Sequence, residues 1–413
     1  PIPNPQSPIP NPQSPFLQAY YNLKNFNKFN KKYMGCCCKK RVEDMSMNIV
    51  VNSEHFIDKK DLDEGKKVVT LDDFDILKLI GKGSFSKVYL VKNRLNHKIY
   101  SMKKLDKPFI KRTRQEQHII NERILLSKMN YPFLVKLFCC FQDQEHLYFI
   151  LEFIQGGELF FHLHREIRFD DEKTRFYIAE LILVLNFLHN NKVIYRDIKP
   201  ENILLDLEGH IKLTDFGLSR LCSGNNEKVF TICGTPYYIA PEIIEKKGYN
   251  NSVDWWSLGC LMYEMLNGKP IFNFSSGKID TNEFKKKIVL PNNFSEEAKD
   301  LITKLLNLDP KQRLGSGPNG FKNLKNHKYF ENINWDDLEN KKIKPPFIPV
   351  IDDPLDLKYF DRIFVDEVNI TKENDDSLNN NNKTIDNYIN FSYLDPTSSS
   401  LRNTLNPHLE EKQ

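Results

Sequence analysis

The spacing of apolar positions changes character several times along the chain. Phe74, Ile76, Leu77 and Ile80 alternate with polar neighbours as a half-buried strand does. A glycine-punctuated turn, Gly81-Lys82-Gly83-Ser84-Phe85-Ser86, separates this run from a second, Lys87 to Val91. Across residues 113–130 the period lengthens. Ile119, Ile120, Arg123 and Leu126 recur at three-to-four spacing, which predicts a helix. Leu147 to Phe153 returns to a β-rich apolar run. Ile178 to Leu188 reads as a buried helix, since Glu180 and Asn186 interrupt it and it is far shorter than the ~20 apolar residues of a membrane span. Two short runs, Ile203 to Leu205 and His210 to Leu213, predict strands whose pairing would bring Asp197, Asn202 and Asp215 to one edge.

The ends of the chain lack such periodicity. Residues 1–14 are the heptapeptide PIPNPQS written twice. Proline at this density favours polyproline II, either as a disordered tail or as a ligand for an SH3 or WW domain. Residues 42–73 are polar and charged and read as a linker. The segment before Phe74 is too short for a pleckstrin-homology domain and lacks its strand pattern.

Composition narrows the classes without choosing among them. The 413 residues are 28% charged and 40% hydrophobic, ordinary for a soluble protein, with room for one two-lobed domain plus tails. Net charge is +4, and no basic stripe with interleaved aromatics points to nucleic acid. The eight cysteines include no C-x-x-C pair, and Cys139, Cys140, Cys222, Cys233 and Cys260 are expected to be reduced packing residues, with regulatory oxidation of Cys233 the alternative.

The densest chemistry is Tyr195-Arg196-Asp197-Ile198-Lys199-Pro200-Glu201-Asn202. Charges at that density are costly to bury unless paired, so the stretch suits a site that holds phosphate, metal and hydroxyl together. Asp215-Phe216-Gly217 adds a second acid. In this order the segments resemble the catalytic and metal-binding loops of eukaryotic protein kinases, over roughly residues 74–330. The resemblance implies an α+β bilobal kinase fold. Its small lobe would hold a five-stranded β-sheet and helix C, and its larger lobe would be mainly helical.

It also implies roles. Strand, glycine turn and strand form the kinase cover for phosphate, whereas Rossmann and Walker loops lead into a helix. Ile80, Gly81, Lys82, Gly83, Ser84, Phe85, Ser86, Lys87 and Val88 would line ATP, with Ser86 standing where the family has a third glycine. Ser101, in place of the usual alanine, would sit against adenine. Lys103 would hold the α- and β-phosphates, with Lys104 the runner-up, and Glu122 on helix C would pair with that lysine. Leu151 would gate the rear of the pocket. The backbone of Glu152 and Ile154 would bond adenine, and Leu204 completes the nucleotide contacts. Asp197 would accept the substrate hydroxyl, Lys199 would neutralise the γ-phosphate, and Asn202 and Asp215 would hold Mg²⁺. Lys199 with Thr214 resembles the serine/threonine-specific subset. The alternative is a pseudokinase scaffold, against which every acid, lysine and asparagine position is present.

Thr231-Ile232-Cys233-Gly234-Thr235-Pro236 through Glu242 resembles the activation segment of the AGC group. Thr231 would be phosphorylated and pair with His118, Arg196 and Arg220. Tyr237 replaces the group's usual glutamate. Glu242 would pair with Arg313, and Asp254 would anchor the catalytic loop. Glu158, Glu201 and Glu264 match positions that read substrate arginine, which implies R-x-R-x-x-S/T substrates. Past residue 330, Lys344 to Pro349 and Phe360 to Phe364 resemble the AGC C-terminal extension, residues 331–397 here, before a disordered tail of 398–413. Thr371 aligns with the turn-motif phosphosite. Tyr388 to Tyr393 resembles the hydrophobic motif, with Ser392 as its phosphosite, a small-lobe pocket beside helix C as its dock, and an upstream kinase as a partner there. The tail looks most like the protein kinase B and serum- and glucocorticoid-regulated kinase branch, without the pleckstrin domain.

The chain opens on Pro1, not methionine, as one processed, truncated or begun too far upstream would. If translation began at Met34, Gly35 would become a myristoylation site. Cys36, Cys37 and Cys38 would then be palmitoylation sites beside the basic Lys39-Lys40-Arg41. Lys39 stands where that pattern has serine or threonine. Residues 1–41 are thus a disordered proline-rich and cysteine/basic segment. The expected location is cytoplasmic, at a membrane surface if acylated.

Overall fold

The computed structural model describes residues 69–83, 86–224, 227–272, 274, 279, 281–286, 288–366, 388, 391–396 and 398. The proline repeat, Gly35, Cys36, Cys37, Cys38, Ser84, Phe85 and Thr371 lie outside these residues, as does the 398–413 tail apart from Ser398.

The runs with strand character meet one another in a single antiparallel sheet. β1 (Phe74–Lys82) pairs with β2 (Ser86–Asn93), and β2 with β3 (Ile99–Asp106). Asp106 caps α1 (Lys107–Thr113) by accepting from the Phe109 N–H, and α2 (Glu116–Lys128) follows. β4 (Leu137–Gln142) and β5 (His146–Glu152) complete the five expected strands. β5 looks continuously apolar because both of its faces are buried. Leu147, Phe149 and Leu151 face the main core, whereas Tyr148 and Ile150 join Phe74, Val91, Tyr100 and Met102 in a second cluster.

α3 (Leu159–Glu166) and α4 (Asp171–Asn190) open the larger lobe. Asp170 caps α4 from the Lys173 N–H at 2.8 Å, and the Ile178–Leu185 stretch is wholly buried, as its apolar run predicts. β6 (Val193–Ile194), β7 (Ile203–Leu205), β8 (Ile211–Leu213) and β9 (Arg220–Leu221) form two short antiparallel pairs, β6 with β9 and β7 with β8. α5 (Pro241–Ile244), α6 (Ser252–Asn267), α7 (Glu296–Leu305), α8 (Gly320–Lys325) and α9 (Trp335–Glu339) follow. α6 carries Trp255, Trp256 and Leu258 into the core. No helix among the described residues is long and apolar enough to cross a membrane.

The extension then climbs back to the small lobe. It passes so close to the hinge that a Cβ on Gly157, whose φ is +75°, would lie 2.4 Å from the Tyr359 carbonyl oxygen. Phe360 stacks on Phe153 at 5.7 Å. After α10 (Arg362–Val365), Tyr393–Leu394 forms β10 against Cys139 and Cys140 of β4. The sheet therefore has six strands, in the order β1-β2-β3-β5-β4-β10, where five were expected. The sixth comes from the tail, because β4 is otherwise an open edge with unpaired backbone groups.

Candidate active site

Two loops and a strand from different parts of the chain converge. Lys103 on β3 places its Nζ 2.7 Å from Glu122 Oε1 on α2 and 3.3 Å from Asp215 Oδ1. Burial works against the lysine's charge, but Asp215 and Glu122 more than compensate and hold its ammonium above the ordinary lysine range. The same lysine depresses the Asp215 carboxyl, although 48% of the Asp215 side chain meets solvent. Lys103 is the paired lysine. Lys104, the runner-up, faces away from it by strand alternation.

The catalytic loop is held from behind. Asp254, fully buried on α6, accepts from Tyr195 N at 3.0 Å, Arg196 N at 2.8 Å and His189 Nε2 at 2.8 Å. Arg196 and Asp215 both have left-handed backbones, φ 70° and 57°, as residues held at functional turns do. Asp197 is gripped from three sides. Lys199 Nζ lies 2.7 Å and Asn202 Nδ2 2.8 Å from its Oδ2, and Thr235 donates to its Oδ1 at 2.8 Å. Thr214 N donates to Asn202 O at 3.0 Å, so one chain of bonds and neighbours runs from Glu122 through Lys103 and Asp215 to Asp197.

The threonine beside Lys199 is Thr235, at 3.3 Å. Thr214 offers its carbonyl to the Tyr195 hydroxyl. The Lys199–Thr235 contact spans 36 residues and depends on how the activation segment folds back.

The donor set suits a hard divalent cation. Asn202 commits its Nδ2 to Asp197, which leaves its amide oxygen as a ligand, and Asp215 offers a half-exposed carboxylate. Among the described residues no cluster of three His, Cys, Asp or Glu could hold a metal by itself. The remaining ligands would have to be phosphate and water oxygens, the arrangement Mg²⁺ favours.

The residues expected to line the nucleotide fall on β1, β2, β3, β5 and β7, with Gly83 just past β1 and Ile154 just past β5. Ile80, Ser101, Leu151 and Ile154 are buried, and Gly81, Lys82, Gly83, Ser86, Lys87, Val88 and Leu204 are partly or wholly exposed. Gly83 N donates to Ser86 O at 2.8 Å, which closes the turn without a third glycine. Glu152 uses its own N–H on Lys136 O at 2.9 Å and its carboxylate on Lys212 at 2.9 Å.

Of the three candidate arginine readers, Glu264 is buried and Glu201 half-buried. Burial raises the Glu201 carboxyl, whose Oε2 has no hydrogen-bond partner among the described residues. Glu264 is pushed up to about 8 by burial, although the Tyr238 hydroxyl bonds it, and Glu201 nearby adds repulsion. Glu158 is exposed, and its backbone bridges Leu204, on the same wall.

The three cations expected at Thr231 are engaged elsewhere. Arg196 Nε donates to Leu218 O at 2.6 Å and its Nη1 to the Tyr249 hydroxyl at 3.0 Å. Arg220 pairs with Glu227 at 2.8 Å. His118 Nδ1 lies 3.1 Å from Gly217 O, and burial lowers its pKa. Thr231 is exposed, and its neutral hydroxyl cannot draw a guanidinium from a carboxylate. Its carbonyl accepts from Tyr249 at 2.7 Å. Cys233 is buried against Tyr249, and burial raises its thiol pKa, so the oxidation alternative loses its reactive thiolate.

The hydrophobic motif docks beside α2. Tyr388 and Phe391 are buried, Phe391 meets Phe149 edge-on at 5.3 Å, and Lys107 sits 5.5 Å over the Tyr388 ring. Arg123 donates to the carbonyls of Phe391 and Ser392, both at 3.2 Å. Lower in the molecule, Arg313 grips Glu242 with two bonds, at 2.6 and 3.0 Å.

The protein kinase domain family model matches residues 74–330. The chain belongs to that family. It is 44% identical over 326 residues to the serine/threonine-protein kinase Sgk2 of Rattus norvegicus, covering 78% of this chain and 88% of the relative. Against Sgk1 of Homo sapiens the identity is 44% over 336 residues, covering 80% and 78%. Within the family the chain is an AGC kinase of the Akt and Sgk branch.

Proposed function

We propose that this serine/threonine protein kinase transfers the γ-phosphate of Mg²⁺-bound ATP to serine or threonine in arginine-bearing proteins. The observation that carries the reading is Lys103 bonded at once to Glu122 and Asp215, while Asn202 ties Asp215's neighbour Thr214 to Asp197. Phosphoryl transfer has a loose transition state, so positioning and charge neutralisation do most of the work. Lys103 holds the inner phosphates, and Asp197 orients the incoming hydroxyl and accepts its hydrogen bond. Lys199 neutralises charge on the transferred group. Asn202 and Asp215 would hold Mg²⁺, which would supply positive charge to offset that of the phosphates. Glu158, Glu201 and Glu264 bind substrate arginines; Glu201 Oε2, without a hydrogen-bond partner among the described residues, and the buried carboxyl of Glu264 support this, since a guanidinium would pair with both.

Phosphorylation of Thr231 and Ser392 activates the enzyme, with an upstream kinase engaging the hydrophobic-motif dock. A cytoplasmic location, at membranes if Gly35 and the cysteines are acylated, completes the reading. Asp197→Ala is the test. It should cut phosphotransfer to an arginine-containing peptide by about 10²–10⁴-fold, the usual worth of a proton-handling side chain, while nucleotide still binds. Undiminished transfer by the variant would refute the role given to Asp197, and absence of transfer by the wild-type chain would favour the scaffold alternative.

A further inference from the structure

The residues around Thr231 hold a charge pair that the phosphotransfer machinery does not use. Arg220 sits on β9, paired with Ile194 of β6, directly before the catalytic loop. Its Nη2 donates to Glu227 Oε1 at 2.8 Å, and Glu227 Oε2 accepts from Ser223 N at 2.6 Å. Both carboxylate oxygens are thus filled by donors from the start of the activation segment. Two residues on, Val229 exchanges backbone bonds of 2.8 and 2.9 Å with Tyr249. The Tyr249 hydroxyl in turn takes Arg196 Nη1 and donates to Thr231 O. Arg220 and Thr231 are therefore each tied down, and the Arg220–Glu227 pair uses a cation assigned to the Thr231 phosphate.

We propose that Glu227 is an internal stand-in for that phosphate: a positioning residue that holds Arg220, and through β9 the catalytic loop, in the unphosphorylated chain. A carboxylate offers two oxygens where a phosphate offers three, and less charge. The stand-in supports a basal rate, and phosphorylation displaces it. The proposal rests on reading Thr231 as the activating site. The Arg220 and Glu227 side chains are 37% and 22% exposed, so the expected effect is modest.

The test uses the full chain in two forms, with Thr231 unmodified and with phosphothreonine installed at that position. Glu227→Gln should lower kcat of the unmodified form by about three- to fivefold, the range of a half-exposed ion pair, with the KM for ATP unchanged. The phosphorylated Glu227→Gln protein should match phosphorylated wild type, and Glu227→Asp should keep most of the basal rate. An unchanged basal rate, or an equal loss in both forms, overturns the proposal. Should phosphate leave wild-type kcat unaltered, the reading of Thr231 falls and the stand-in role falls with it. An intact phosphate response beside an unchanged basal rate sinks the stand-in alone.

Discussion

The catalytic loop and the activation segment lie next to each other, joined through β6 and β9, yet they are held by different means. The loop hangs on Asp254, a carboxylate with no solvent exposure whose partners include two backbone N–H groups. The segment hangs on Arg220–Glu227, a pair partly open to solvent, and on the hydroxyl of Tyr249, which bonds the Thr231 carbonyl. A buried carboxylate bonded to backbone cannot be exchanged without unfolding its surroundings. A half-exposed ion pair can be traded for another anion at small cost. Permanence therefore sits under Asp197, the aspartate proposed to orient substrate, and exchangeability sits where the kinase would be switched.

The largest break in that contrast is Asp254→Ala. It strands two backbone donors in the interior and should cost about 3–5 kcal/mol, read from urea denaturation, with phosphotransfer lost in parallel. Phe391→Ala comes next. Emptying its place against Phe149 should weaken tail docking by about 3 kcal/mol, so the β10 amides of Tyr393 and Leu394 would exchange hydrogen far faster while the α6 amides would not. Tyr249→Phe removes one hydroxyl from the segment side and should cost about 1 kcal/mol, seen as a lower melting temperature.

The smallest effect concerns pH. Glu264, raised to about 8 by burial, keeps its proton in most of the free enzyme at neutral pH. A guanidinium prefers the ionised form. The preference in kcat/KM for an arginine peptide over its citrulline counterpart should therefore grow between about pH 7 and 9, by no more than about tenfold. The stability sign is the reverse. The folded state holds this proton more tightly than the unfolded chain, so the group's contribution declines as pH rises from the ordinary carboxylate range through about 8.

The sequence made the local parts legible. Strand alternation at Phe74 to Ile80, the apolar run at Ile178 to Leu188 and the paired runs after Asn202 each report their own burial, because period and exposure belong to the same short stretch. Asp197, Asn202, Asp215 and Lys103 were readable for a different reason: their chemistry is dense and ordered along the chain. Thr235, Tyr249 and Glu227 were not, since each acts through one atom on a partner fixed only by the fold. A lone threonine quoted inside an activation segment carries no mark of the aspartate it will meet 38 residues away. β10 was hidden likewise: two residues have no period, and their pairing is decided by the open edge of β4.

That borrowed strand has a cost when the tail lets go. Release of Tyr393 and Leu394 would uncover the hydrogen-bonding edge of Leu137–Gln142 and bare the apolar seat of Phe391 beside it. An undocked kinase is then a sticky one, ready to pair edge to edge with a second copy. Docked, the tail keeps that edge paired and that seat filled.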